Sequence, residues 1–131
     1  MEGPVMEAND NRSGGLLVWQ WSLYRDGHRD RRNLAIHAAT VPLFLAGTCA
    51  LVLSPFAGVG LAVAGAVLML ATVAAQGRGH AVEAARPVAF RGPGDFAARF
   101  LVEQWVTFPR LVLSGGFAQA WRRARSEPHR A

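Results

Sequence analysis

The stretch LAIHAATVPLFLAGTCALVLSPFAGVGLAVAGAVLMLATVAA, residues 34–75, holds only two ionisable side chains, the imidazole of His37 and the thiol of Cys49. Its 42 residues are about twice the length that one bilayer crossing needs. The whole chain of 131 residues is 51% apolar and 18% charged, so the charges are pooled outside this block rather than spread over every helix. That distribution argues against an ordinary water-soluble fold and for two helices that cross a membrane as a hairpin. Residues 34–53 and 57–75 supply the crossings, with Ser54-Pro55 as the expected turn. Pro42 is tolerated inside a membrane helix, where neighbouring groups take up the freed carbonyl. Gly58, Gly60 and Gly65 give the second crossing a small-residue face for close approach to the first.

The flanks set the direction. Arg29, Arg31 and Arg32 precede the first crossing and Arg78 and Arg86 follow the second, while the connection between the crossings is uncharged. The excess of arginine on one side puts both ends in the cytoplasm. Upstream, residues 16–26 carry Trp19, Trp21 and Tyr24 and read as a short interfacial helix that ends near Gly27. Downstream, a glycine-rich hinge is expected over 76–80, a turn over 91–94, and an amphipathic helix over 95–106 with Phe96, Phe100 and Trp105 on its apolar side. Residues 108–118 contain Pro109, Arg110 and Gly115-Gly116 and read as a membrane-surface segment, so that 95–118 as a whole lies along the surface. The expected fold is an all-α membrane protein: a two-helix transmembrane hairpin with flanking interfacial helices. The first 33 residues are too long and acidic a polar stretch to begin a secretory signal; 1–15 read as a disordered leader, 16–121 form the membrane domain, and 122–131 a basic polar tail.

All fourteen basic residues are arginine, and against nine acids they give a net charge of +5. No zinc-finger spacing or base-stacking module accompanies them, so the expected partner is a membrane lipid and not nucleic acid. The single cysteine, Cys49, cannot form an internal disulfide or a thiolate cluster and reads as a packing residue.

Chemistry is concentrated in His28, His37 and His80. In an antiparallel hairpin, His37 lies about one turn inside the first crossing and His80 just beyond the end of the second, so 43 residues of sequence become spatial proximity. A straight helix would hold His28 and His37 about 13 Å apart on opposing faces, and a break near Gly27 or after His28 removes that separation. Glu83 stands three positions after His80 and can share its helical face. His28, His37, His80 and Glu83 are therefore the expected metal ligands and catalytic residues, for Fe(II), Mn(II) or Zn(II), with the N/O mixture leaning toward iron. Tyr24 and Asn33, each four residues before a histidine, and Gln76, one turn before His80, are the expected supporting residues of the cofactor site. Plainer readings stand beside these: a solvated His28, a His37 bonded only to Asn33, and His80 and Glu83 pairing with Arg78 and Arg86. His129 in the tail reads as inert.

The order Tyr24, His28, Asn33, Ile36-His37 and Pro42, followed by Gln76, Gly79-His80, Glu83, Arg86 and Pro87, resembles the Mpo1-like family of small membrane proteins over about residues 21–90. The resemblance implies an Fe(II)-dependent dioxygenase related to the fungal enzyme that shortens 2-hydroxy fatty acids by one carbon. It implies a multi-pass protein of a bacterial cytoplasmic membrane, and it maps His28 and His37 onto one histidine block, His80 onto a second and Glu83 near its acidic residue. The substrates so implied are a 2-hydroxy fatty acid and O2, with Arg32 or Arg78 attracting the carboxylate. Two other readings fit the same chain: a non-catalytic membrane or lipid-binding protein, and a subunit of a membrane assembly or homo-oligomer formed on the glycine-rich helix face.

Overall fold

The computed structural model describes residue 12 and residues 14–126, and among them every regular element is helical. Helix α1 spans Leu16–Tyr24, α2 Arg31–Ala57, α3 Val59–Ala81, α4 Pro93–Val102, α5 Phe108–Leu113 and α6 Gly116–Ser126, with a single π-helical turn over Glu103–Thr107 between α4 and α5. Helices α2 and α3 are long and apolar enough to cross a membrane. Their outward faces carry exposed Leu43, Val52, Phe56, Val59, Val63, Val67 and Leu70, a surface suited to lipid rather than water.

The hairpin turns later than Ser54-Pro55. Helix α2 runs through that pair because the Ser54 hydroxyl donates to the Leu51 carbonyl at 2.8 Å, the acceptor one turn before Pro55 that the proline cannot serve. The chain reverses at Gly58, whose φ of 102° lies in the left-handed region that L side chains resist. Gly58 and Gly60 would present a Cβ to open space, so they do not form the helix contact. The close approach is made by Gly65 with Gly47: a Cβ on either would fall within 3 Å of the other's carbonyl oxygen. Cys49 is exposed rather than packed.

The expected hinge over 76–80 is instead the last part of α3. Helix continuation there is favoured by packing: Gly79 sits so close to α2 that a Cβ would come 2.5 Å from Asn33 Oδ1. The N-terminus of α2 is capped by Asp30, whose carboxylate accepts the Arg32 backbone N–H at 2.7 Å.

The segment 108–118 is two helices rather than one surface strip. Phe108 and Leu111 are buried with Tyr24 and Val41, and Trp21, Leu45 and Phe117 surround them. Arg31 lies over the Trp121 ring and donates from Nε to the Trp121 carbonyl, which ties α6 to the start of α2. Residues expected in a polar tail are thus helical as far as Ser126, while His129 lies outside the described residues. The expected leader falls mostly outside them too. Arg12, which is described, pairs with Asp95 at the start of α4.

Candidate metal centre

Two turns and a widened helix bring the site together. The break between α1 and α2 over residues 25–30 turns His28 back over α2, so that its Nε2 stands 3.4 Å from His37 Nε2. The three imidazoles meet edge to face, with ring centroids 4.6 Å apart for His28–His37, 5.1 Å for His28–His80 and 5.0 Å for His37–His80. The hairpin therefore unites the three histidines that the sequence singles out.

The carboxylate among them is Glu103. Its Oε1 lies 3.0 Å from His37 Nε2, 3.4 Å from His28 Nε2 and 3.8 Å from His80 Nε2. Helix α4 reaches this position through the π-turn, in which the Phe108 N–H donates to the Glu103 carbonyl five residues back. Pro109 has no N–H to offer the carbonyl of Trp105, and the helix widens in the turn before it. Glu103, Gln104 and Thr107 are all buried as a result, whereas Trp105, expected on the apolar side, is 44% exposed.

Glu83 does other work. Its carboxylate accepts the backbone N–H groups of Arg29 and Asp30 at 3.0–3.1 Å and the Asn33 side-chain amide at 2.8 Å. It clamps the turn that carries His28 to the end of α3, and it stands outside the converging donor atoms. The i+3 spacing from His80 does not decide the matter, because Glu83 lies just past the last residue of α3.

Tyr24 and Asn33 support the histidines through their backbones. His28 Nδ1–H donates to the Tyr24 carbonyl at 2.9 Å, and His37 Nδ1–H to the Asn33 carbonyl at 3.0 Å. Tyr24 also stacks on His28, with centroids 4.0 Å apart, and donates its hydroxyl to Glu103 Oε1 at 3.0 Å. Gln76 is not the partner of His80; its amide pairs reciprocally with Gln104 at 2.7 and 3.0 Å and donates to Thr40.

These contacts fix the donor chemistry. A carbonyl oxygen only accepts, so both Nδ1 atoms carry hydrogen and the neutral rings direct Nε2 lone pairs at each other and at a carboxylate. Several buried acceptors facing one point require a cation between them, either a proton or a metal ion. Burial holds the His28 imidazole below its ordinary range, against the opposing pull of Glu103. Burial alone would raise the Glu103 carboxyl, but hydrogen bonds from His28, His37 and His80, which form when a proton is the cation and sits on Nε2, outweigh it and hold Glu103 well below the usual carboxylate range. Burial, reinforced by Glu103, raises the Tyr24 hydroxyl, which stays a donor.

The spacing suits a metal. Ligands held about 2.1 Å from one ion stand about 3.0 Å apart when adjacent in an octahedron and about 3.4 Å apart in a tetrahedron, and the closest donor separations here are 3.0–3.8 Å. His28, His37, His80 and Glu103 form a group able to hold a metal ion, with all donor atoms within 4.8 Å. His37 is sealed from solvent and Phe108 closes over it at 5.9 Å. His28, His80 and Glu103 instead face a cavity of about 290 Å³. Its other walls are mainly apolar, formed by Trp19, Leu23, Val73, Phe96 and Phe100, with Arg86 and Arg99 also reaching it. Arg32, expected to attract a carboxylate, is occupied by Asp30. No family model, curated protein or solved structure matches this chain.

Proposed function

We propose that this protein is an Fe(II)-dependent dioxygenase of a bacterial cytoplasmic membrane, with both ends in the cytoplasm, acting on a 2-hydroxy fatty acid or a closely related lipid. The observation that carries the reading is the convergence of three imidazoles and one carboxylate at the wall of an apolar cavity. Three nitrogen donors and one oxygen donor suit a first-row divalent ion, and the cavity leaves space on one side of the cluster for O2 and substrate.

The residues divide the work. His28, His37, His80 and Glu103 would hold the iron, and the iron, when bound, would supply the one-electron and O2 chemistry. Tyr24 donates to Glu103 and stacks on His28, so it holds the carboxylate and one imidazole in a fixed relation. Glu83 holds the turn behind His28. Phe108 and the packing around His37 keep water from the sealed side. Arg86 reaches the cavity and has no ion-pair partner among the described residues, which leaves its charge for the substrate carboxylate. In the reaction the C1–C2 bond of the 2-hydroxy acid breaks, C1 leaves as carbon dioxide and C2 becomes the carboxyl carbon of an acid one carbon shorter. O2 accepts the four electrons released, and one water forms.

Anaerobic purification with metal analysis, followed by O2 addition and analysis of lipid products, tests the proposal. One iron per chain and a product shortened by one carbon are expected. A chain that binds no iron, or an iron-loaded protein that leaves every 2-hydroxy acid intact, overturns it.

A further inference from the structure

The cavity has a direction. Val73, Gly77 and His80 all line it and lie on one face of α3, at i, i+4 and i+7. Val73 is about 10 Å from His80 along the helix axis, on the membrane-facing part of a helix long and apolar enough to cross a bilayer. From the cluster the cavity therefore extends along α3 toward the hydrocarbon region, with Phe96 and Phe100 of α4, stacked 5.7 Å apart, opposite.

Gly77 is the narrow element of this wall. It is exposed, and a Cβ built there would meet nothing within 4 Å. Neither a turn nor a positive φ requires glycine there, since Gly77 lies inside α3 and is absent from the positive-φ set. It contrasts with Gly79, two residues on, where a Cβ would strike Asn33. A glycine that costs helix propensity and makes no close backbone contact leaves space for something else.

We propose that this groove is the acyl-chain channel of the site, and that Gly77 sets the length of chain it admits. The proposal rests on the lipid-substrate reading above. A single saturated chain is the occupant that the walls favour: Val73, Phe96 and Phe100 offer apolar contact, and the channel runs from the cluster along α3 toward the apolar middle of that helix. A branched side chain at position 77 would fill the groove close to His80, and a phenyl ring at position 73 would fill it one turn deeper.

The test uses full-length protein in detergent loaded with zinc, which lacks redox chemistry and so permits equilibrium binding without turnover. Affinities are measured for 2-hydroxyhexadecanoic and 2-hydroxybutanoic acids in wild type, Gly77→Leu and Val73→Phe, each checked for bound zinc. The ratio of long-acid to short-acid affinity is expected to fall about 10-fold or more in both variants, comparable to the discrimination one or two methylenes give in an apolar pocket. Should Gly77→Leu fail to retain zinc, Val73→Phe carries the same expectation. An unchanged ratio in a zinc-loaded variant overturns the channel, as does a wild type that does not prefer the long acid. If the ratio falls as expected but iron-loaded wild type consumes no O2, the channel stands and the dioxygenase reading falls.

Discussion

Glu103 takes the place among the histidines that sequence spacing suggests for Glu83, and variants of the two separate their roles experimentally. Glu103→Gln removes the carboxylate that faces all three imidazoles, so metal affinity is expected to fall by more than about 100-fold in a competition assay with a chelator. Glu83→Gln weakens the clamp on Arg29 and Asp30 and should cost only about 10-fold, with full metal occupancy at excess metal. Equal losses in the two variants would return Glu83 to the ligand set. His28 supplies a pH dependence in the metal-free protein. Its folded-state value lies below 6.5, so the folded chain binds fewer protons there than the unfolded chain, and stability falls as pH drops through that window. Glu103 is also lowered, and its contribution, present above 4.5, is lost only at more acid pH. Between about pH 7 and pH 5 the thermal stability of the metal-free His28→Gln variant should therefore depend less steeply on acidification than that of wild type. Glu103 did leave a trace in the sequence, a lone acid between Phe100-Leu101-Val102 and, past Gln104, Trp105-Val106. An ionisable group so placed needs a buried partner, but nothing local names that partner.

At the scale of elements, the hairpin depends on the approach of Gly47 to Gly65. Gly65→Leu has no room against the Gly47 carbonyl and Ala50, so the helices must separate or rotate, at a cost of about 1–3 kcal/mol. Because His37 and His80 sit on α2 and α3, the same change should lower metal occupancy, readable as lost metal per chain. Gly60→Leu, facing open space, should leave occupancy unchanged. The existence of both long helices was legible because an uncharged block of that length admits few alternatives. Their ends were not, since they depend on particular hydrogen bonds: Ser54 covering the Leu51 carbonyl carries α2 past Pro55, and Gly79 packing on Asn33 carries α3 past the glycines.

At the scale of the molecule, both ends of the hairpin and the cluster of His28, His37, His80 and Glu103 fall on one side, and the proposed orientation puts that side in the cytoplasm. Single cysteines at positions 14 and 123, in a Cys49→Ala background, should label only from the cytoplasmic face of membrane vesicles, and a Phe56→Cys variant only from the opposite face. The reverse pattern would move the candidate site outside. The segment after Phe108 closes the sealed side: Phe108 covers His37, Leu111 joins the buried core, and α6 is tied back by Trp121 to Arg31. The charge count alone gave no hint of this cover, which comes from helices too short and too broken to be read by periodicity.

The sequence by itself determined the two apolar helices, their antiparallel sense and the meeting of His28, His37 and His80, because a charge-free block long enough for two crossings brings its borders together. Tertiary structure decided which carboxylate faces those histidines. Glu103 is 66 residues from His37, and its position depends on a helix widened by one turn before Pro109 and on the docking of Phe108 and Leu111 against Tyr24 and Val41. Contacts of that range leave no period or spacing in the sequence, since they arise only when separate apolar faces find each other in the folded chain.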